Sequence, residues 1–322
     1  MPSDRPTISF ELYPPRSEKG ERALVRTLAE LAAAQPDFFS ITYGASGSTR
    51  ETSRELIRRV VTETEVTPIA HLTCVGASAG ELRGVIEDLL DEGVRDFLAL
   101  RGDPPAGEPD WEPHPQGLTR SSQLVRLLRS IEAERFGDAG ATTGQVNPLS
   151  ISVATYPGAL RDKTGNPVVD PRDIAALVEK QEAGADFAIT QIFYDAGHYA
   201  ALLEQARSAG VHIPILPGVI PLTDPRRLRK LHQLTGVRPP EGLLDTLDGA
   251  ASKQEAYRLG LQATRSLVND ILALGAPGLH VYTFNTATPA LDLLYGSGLR
   301  PGSHPGLSPG EERPHPAPPS SA

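Results

Sequence analysis

Four polar residues stand where apolar runs of this sequence end or inside such a run, and their types suit proton transfer to a bound heterocycle. Glu11 precedes a Pro-Pro turn, Arg101 and Asp103 follow an apolar run, and Gln191 lies within another run. An apolar setting would raise the pKa of Glu11, as a general acid near neutral pH requires. A glutamine amide in such a setting needs hydrogen-bond partners, which a planar heterocycle can supply.

Each of these residues also has a structural interpretation that requires no ligand. Glu11 has the alternative of an ion pair with Arg16 or Lys19, and residues 101–103 have the alternative of a solvated surface turn. His71 lies in an apolar run, where a histidine is more often a core residue than a catalyst. The residues alone therefore leave both interpretations open.

The overall composition argues against several classes of function. The chain has 322 residues, 39% of them apolar, and a net charge of −9. This charge argues against nucleic-acid and anionic membrane partners, which select basic surfaces. The single cysteine, Cys74, excludes an internal disulfide and, inside an apolar run, favours a buried side chain over a nucleophile. No apolar run of membrane-spanning length or N-terminal targeting segment is present, so we expect a cytoplasmic protein.

Apolar runs of strand length alternate with segments of helical periodicity through most of the chain. The eight predicted strands are 7–12, 38–42, 68–74, 96–100, 149–154, 187–193, 213–217 and 279–283. This alternation implies parallel strands joined by right-handed crossovers, and eight units favour a closed (β/α)8 TIM barrel over an open sheet. We expect one barrel domain over residues 1–300, with long loops at 104–115 and 137–148. The tail at 301–322 contains seven prolines, which predicts disorder.

The C-terminal ends of the strands in such a barrel converge on one site, so the four polar residues are predicted to meet there. The sequence has no glycine-rich dinucleotide motif after its first strand, no phosphate-binding P-loop and no metal-ligand motif. The set therefore suits binding a heterocycle and giving it one proton, and not hydrolysis by a metal or a covalent nucleophile.

The segments that carry these residues resemble the methylenetetrahydrofolate reductase family. The matching stretches are 9–15, 41–49, 70–75, 98–105, 183–195, 214–221 and 278–285, in the family's order. The resemblance implies reduction of 5,10-methylenetetrahydrofolate to 5-methyltetrahydrofolate, a methyl donor for methionine synthesis. It also implies NADH or NADPH as the hydride source, and the family is often homo-oligomeric.

The resemblance assigns roles to individual positions. Glu11 would be the acid that protonates N10 of the folate as its imidazolidine ring opens to a 5-iminium cation. Asp103 would stabilise that cation beside the pterin, and Gln191 and Tyr282 would bind the folate. Positions that match cofactor contacts are kept at Thr42, His71, Leu100, Arg101, Gly102, Asp103, Ala154, Tyr156, Asp173, Lys180 and Ile189.

Other positions depart from the family pattern, chiefly on the side that binds FAD. Glu179 stands where an arginine is usual and Ala176 where an asparagine is usual, and Arg120 falls near an expected tyrosine. A histidine is missing from 158–161, and Thr286 replaces an arginine that often meets the folate tail. Because Glu179 would repel a pyrophosphate, these departures favour direct hydride transfer from the nicotinamide, with FAD-mediated transfer as the alternative.

Two other classes of function compete with a reductase. A pterin-binding methyltransferase barrel would need a cobalamin partner or a thiol acceptor, and the lone Cys74 is predicted to be buried. A silent folate-binding protein would have no use for an acid at Glu11. Oxidation of a nicotinamide cofactor that depends on methylenetetrahydrofolate would distinguish the reductase from both.

Overall fold

The computed structural model describes residues 5–15, 17–42, 47–103, 112–137, 148–158 and 160–299. The strands in these ranges are β1 (Thr7–Leu12), β2 (Phe38–Ile41), β3 (Thr67–Thr73), β4 (Asp96–Leu100), β5 (Ser150–Thr155), β6 (Leu160–Arg161), β7 (Pro167–Val168), β8 (Phe187–Thr190), β9 (Ile215–Leu216), β10 (Gly218–Val219) and β11 (Gly278–Tyr282). The helices are α1 (Glu18–Ala33), α2 (Gly47–Glu63), α3 (Ala79–Asp91), α4 (Ser121–Phe136), α5 (Pro171–Glu182), α6 (Ala196–Ser208), α7 (Pro225–Thr235), α8 (Glu241–Asp248), α9 (Lys253–Ala273) and α10 (Ala287–Gly296). The predicted tail at 301–322 and most of the two predicted long loops lie outside the described residues.

The main sheet is parallel throughout, and its strand order is β10, β11, β1, β2, β3, β4, β5, β8, β9. The seventh predicted strand forms two short pieces, because Pro217 between them has no N–H to donate to the ladder. The first piece, β9, pairs with β8, and the second, β10, pairs with β11. The sheet therefore closes through the chain itself, and the predicted (β/α)8 barrel is confirmed.

Alternate residues of the strands face the helices and the barrel interior. On β1, Ile8, Phe10 and Leu12 belong to the main core under the helices. A separate apolar cluster fills the interior and consists of Phe38, Ile69, Leu98, Ile189 and Leu216, from five different strands. This alternation directs the side chains of the strand ends into the mouth of the barrel.

Two histidines lie in the barrel interior beneath the mouth. The Ser9 hydroxyl is 2.8 Å from Nδ1 of His280, and the Ser40 hydroxyl contacts Nε2 of His71. Burial lowers the pKa of both imidazoles to about 3, so they are neutral at physiological pH. Both are 4% exposed or less, so His71 lies within the core beneath the site.

The sixth predicted strand also differs from the structure, and one strand pair was not predicted. The predicted strand 187–193 ends at Thr190, because the Gln191 side-chain carbonyl accepts the Ile192 N–H at 2.9 Å in place of a neighbouring strand. The antiparallel pair β6–β7 after β5 was not expected, and Asp162 organises the turn between its strands by accepting the N–H groups of Thr164 and Asn166.

Candidate active site

The predicted site residues come together at one end of the barrel. Each lies near the C-terminal end of a parallel strand or directly after it, so the shared strand direction places them around one opening. They are Glu11 on β1, Thr42 after β2, Leu100 to Asp103 at the end of β4, Ala154 and Tyr156 around the end of β5, Gln191 after β8 and Tyr282 on β11.

Glu11 is a protonated carboxyl group at neutral pH. Burial raises its pKa to about 8, since a desolvated carboxylate loses its hydration. The alternative ion pair with Lys19 does not form, and within the described ranges Glu11 has no cationic partner; Arg16 lies outside the described residues. The Thr283 hydroxyl donates to the Glu11 backbone carbonyl at 2.7 Å, which ties the acid's strand to the end of β11.

Tyr282 lies directly opposite Glu11 in the β1–β11 ladder. Its hydroxyl donates to the Thr190 carbonyl at 2.9 Å, and its ring meets the His280 ring edge-on with centroids 5.1 Å apart. Burial first, and then the neighbouring Glu11, raise the pKa of Tyr282 well above its usual value. The acid therefore has a neutral phenol beside it.

The backbone of Gly218 makes room for the Tyr282 ring. A Cβ added at Gly218 would lie 2.3 Å from the Thr190 carbonyl oxygen and 2.6 Å from Cε2 of Tyr282. A side chain at this position is therefore incompatible with the observed tyrosine. This glycine could not be singled out from the sequence, because its role depends on contacts between three strands.

Arg101 and Asp103 lie exposed on either side of Gly102, whose φ of 81° is in the left-handed region. A Cβ at Gly102 would lie 2.6 Å from Cγ2 of Val75, so glycine is required on both grounds. Burial and the negative charge of Asp103 raise the pKa of Tyr156, and the positive charge of Arg101 opposes this. The carboxylate and the guanidinium therefore both influence the pKa of the Tyr156 hydroxyl, which borders the site.

Gln191 is half-buried at the mouth of the barrel. Its side-chain carbonyl accepts the Ile192 N–H, and its backbone N–H donates to the Thr155 carbonyl at 2.8 Å. Across the described ranges, its side-chain Nε2 has no protein acceptor. The amide therefore presents its N–H groups to a ligand, which suits an acceptor-rich heterocycle.

Helix α5 carries Asp173, Glu179 and Lys180 beside the site. The Lys180 ammonium donates to the Ala154 carbonyl at 2.8 Å, and burial lowers its pKa while Asp173 opposes this. Burial raises the pKa of Asp173. Asp173 and Lys180 are accordingly a partly desolvated carboxylate and ammonium that influence each other's pKa.

Arg120 and Glu179, two departures from the family pattern, contact each other. The Arg120 guanidinium lies 3.1 Å from Oε2 of Glu179, and the Ser122 hydroxyl donates to Oε1 at 2.8 Å. These hydrogen bonds, that of Ser122 above all, lower the pKa of Glu179, so it remains an anion. The two positions thus form one ion pair between the segment before α4 and helix α5.

The residues on helix α5 and in the segment before α4 do not fit the pyrophosphate of FAD. A bound pyrophosphate needs cations or free backbone N–H groups. Arg120 is already paired with Glu179, Lys180 is held by a backbone carbonyl, and Asp173 adds a second carboxylate to the same helix.

Other chemistry finds little support at this end of the barrel. Burial raises the pKa of Cys74 to about 11, and its thiol points to the Leu100 carbonyl at 3.4 Å, so it is a poor nucleophile. Within the described ranges, no three histidine, cysteine or acidic side chains are placed to hold a metal ion. No described helix is long and apolar enough to cross a bilayer.

Comparison with known proteins gives the family. A model of the family described as "Methylenetetrahydrofolate reductase" matches residues 1–298. The chain is 31% identical to the Escherichia coli "5,10-methylenetetrahydrofolate reductase" over 92% of each chain. It is 30% identical to the maize "Methylenetetrahydrofolate reductase (NADH) 1", covering 92% of this chain and 49% of that one. A protein from Clostridium thermocellum, described as binding two copies of 5-methyl-5,6,7,8-tetrahydrofolic acid, shares the fold with a TM-score of 0.59 at 14% identity, covering 90% and 95% of the two chains. The chain therefore belongs to the methylenetetrahydrofolate reductase family.

Proposed function

We propose that this protein reduces 5,10-methylenetetrahydrofolate to 5-methyltetrahydrofolate with a hydride from NADH or NADPH. The observation that carries the proposal is the Glu11 carboxyl at the mouth of the barrel, which has no cationic partner in the described ranges and whose pKa is raised by burial to about 8. The relatives' names support the reaction, and the acid supplies the proton that the reaction consumes.

The proposed chemistry assigns one role to each of three residues. Glu11 gives its proton to N10, the bond between N10 and the bridging methylene breaks, and the methylene remains on N5 as an iminium cation. Asp103 offers a negative charge to that cation, and the N–H groups of Gln191 hold the pterin. A hydride adds to the methylene carbon to form the methyl group, and Glu11 regains its proton from water.

The hydride passes directly from the nicotinamide to the folate in this proposal. The Arg120–Glu179 pair supports it, because it occupies the arginine before α4 and places a carboxylate on α5, and both effects are unfavourable for a flavin pyrophosphate. Arg101 is exposed and has no carboxylate partner in the described ranges, so it is available to the phosphates of the nicotinamide donor. The retained family positions Thr42, Leu100, Ala154 and Ile189 would shape this same side of the opening.

Purified protein should carry no stoichiometric flavin, and deuterium from C4 of the nicotinamide should appear undiluted in the product methyl group. Direct transfer retains the label, whereas a reduced flavin exchanges its transferable hydrogen with water. The measurements are a visible absorption spectrum and mass spectrometry of the product. A stoichiometric flavin band, or label lost to solvent, would refute direct transfer while leaving the reductase activity intact.

The rate of hydride transfer should fall as pH rises above about 8. Since the raised pKa keeps Glu11 protonated below that value, the acid form is lost above it and the rate should drop about tenfold per pH unit. A single-turnover pH profile at saturating nicotinamide checks this. A rate unchanged up to pH 10 would remove Glu11 from the role of acid.

A further inference from the structure

Side chains from the loop after β11 hold the backbone that carries Glu11. The regular pairing of β1 with β11 ends at Glu11 and Tyr282. Beyond that point the Asn285 carboxamide takes the place of a strand, because its Nδ2 donates to the Tyr13 carbonyl at 2.7 Å and its Oδ1 accepts the Tyr13 N–H at 3.1 Å. The Thr283 hydroxyl already holds the Glu11 carbonyl at 2.7 Å. Side chains therefore extend the pairing past the acid, as far as Tyr13.

The loop after β11 presents these side chains from a tight turn. Phe284 and Asn285 both have φ of 52°, in the left-handed region that asparagine tolerates and phenylalanine rarely adopts. The Thr286 N–H donates to the Thr283 carbonyl at 3.0 Å, and positive φ at both central residues is the pattern of a type I′ turn. This turn ends the β11 backbone ladder and places the Asn285 side chain against the loop that follows β1.

Contacts on two sides hold the turn in this conformation. The Thr27 hydroxyl of α1 donates to the Asn285 carbonyl at 3.1 Å, and the Asn285 N–H donates to the Thr283 hydroxyl at 3.1 Å. The Phe284 ring packs on an apolar cluster shared with α7 and α8, and the Arg227 guanidinium covers it at 5.0 Å from the ring centroid. A left-handed phenylalanine persists only where its surroundings fix it, and such residues cluster at functional sites.

The Glu11 carboxyl depends on this backbone for its position. Within the described ranges its side chain makes no hydrogen bond, and burial alone raises its pKa. Main-chain pairing with β2 holds one side of its strand as far as Leu12, whereas the side chains of Thr283 and Asn285 hold the other side. A general acid must lie within about 3 Å of the atom that it protonates, and a displacement of about 1 Å can lower the rate about 100-fold.

We propose that Asn285 is a positioning residue for the acid, an inference that rests on the proposed function. Its carboxamide fixes the backbone just beyond Glu11 and so keeps the carboxyl where N10 of the folate arrives. Both ends of the amide are needed, since the oxygen pairs with the Tyr13 N–H and the nitrogen with the Tyr13 carbonyl. Asparagine suits the position because it also tolerates the left-handed backbone of the turn.

Asn285→Gly removes the carboxamide and keeps the turn, because glycine adopts a φ of 52° without strain. It should lower the single-turnover rate of folate reduction about tenfold and change the dissociation constant of 5-methyltetrahydrofolate less than about twofold. Gln35→Gly is the matched control. Gln35 also has a positive φ, of 51°, and lies exposed between α1 and β2 at the opposite end of the barrel, so its replacement should leave the rate unchanged.

A double-mutant cycle with Glu11→Gln separates positioning of the acid from a general structural effect. Because Glu11→Gln has no acid to position, adding Asn285→Gly in that background should change the remaining rate less than about twofold. An equal loss of rate in both backgrounds, or a wild-type rate in Asn285→Gly, would overturn the positioning role. Absence of folate reduction by the wild-type enzyme would instead overturn the proposed function.

Thr283→Val provides a second test that stands if Asn285→Gly does not fold. It removes the hydroxyl that donates to the Glu11 carbonyl and receives the Asn285 N–H, whereas Thr283→Ser keeps that hydroxyl. The rate should fall in the valine variant and recover in the serine variant, and the loss should disappear when Glu11→Gln is added. Equal rates in the two variants, or a loss that persists beside Glu11→Gln, would overturn the role of the loop after β11 in positioning the acid.

Discussion

Replacing Glu11 by glutamine should lower kcat for folate reduction by a factor of about 10² to 10⁴, the usual contribution of a positioned general acid. The amide has nearly the same shape but no acidic proton to give to N10. Since the pKa of Glu11 is about 8, the native side chain is neutral at pH 7, and the neutral amide preserves its charge state. Binding of 5-methyltetrahydrofolate should therefore stay within about twofold of wild type. Single-turnover kinetics and equilibrium titration measure the two quantities separately.

The control for this substitution is Glu11→Asp, which keeps an acid but withdraws it by one methylene group and should retain partial activity. The substitution should also change how the stability of the folded protein depends on pH. Because the folded pKa of Glu11 is raised, wild-type protein loses stability as pH rises from the unfolded value through about 8. Glu11→Gln should lack this loss and melt higher than wild type at pH 9. Near-normal turnover in Glu11→Gln would contradict the assignment.

Gly218→Ala should destabilise the protein by about 3 kcal/mol and also reduce kcat by about tenfold or more. The new Cβ would lie 2.3 Å from the Thr190 carbonyl oxygen and 2.6 Å from Cε2 of Tyr282. One of them must move, which breaks the 2.9 Å hydrogen bond between them and shifts Tyr282 away from Glu11. Urea unfolding and steady-state kinetics measure both effects.

Gly84→Ala is the matched control for the glycine substitution. Gly84 lies within α3, and an added Cβ meets nothing within 4 Å. Alanine is favoured over glycine inside helices by about 0.5–1 kcal/mol, so this variant should be equal to or more stable than wild type. A wild-type unfolding midpoint and kcat in Gly218→Ala would show that the β10–β11 contact tolerates a methyl group.

The sequence predicted the barrel well because its strands are buried on both faces. Such strands appear as short apolar runs between amphipathic helices, and all eight predicted runs correspond to strands of the closed sheet. Apolar character alone placed the end of the sixth strand too late. Phe193 is buried because its ring stacks on Tyr199, with ring centroids 5.8 Å apart, and not because it lies in the sheet.

The sequence predicted which site residues stand at strand ends, but not the contacts that these residues make with each other. Arg120 and Glu179 are 59 residues apart and looked like two separate losses, whereas the structure joins them in one ion pair. The contact of the Arg227 guanidinium with the Phe284 ring, 5.0 Å from the ring centroid, was likewise not predicted, since only the fold brings the two residues together.

The pairing of β1 with β11 has a consequence for folding in the cell. Ser9 and His280 in this ladder are 271 residues apart, so the first strand has no partner on this side until the last strand has been synthesised. Until then β1 presents an open hydrogen-bonding edge that can pair with other chains. Tyr282, which lies opposite Glu11, arrives with that last strand. The pairing of β11 with β1 therefore completes the surroundings of the acid and covers the open edge in one step, and a chain stalled before that step is expected to aggregate.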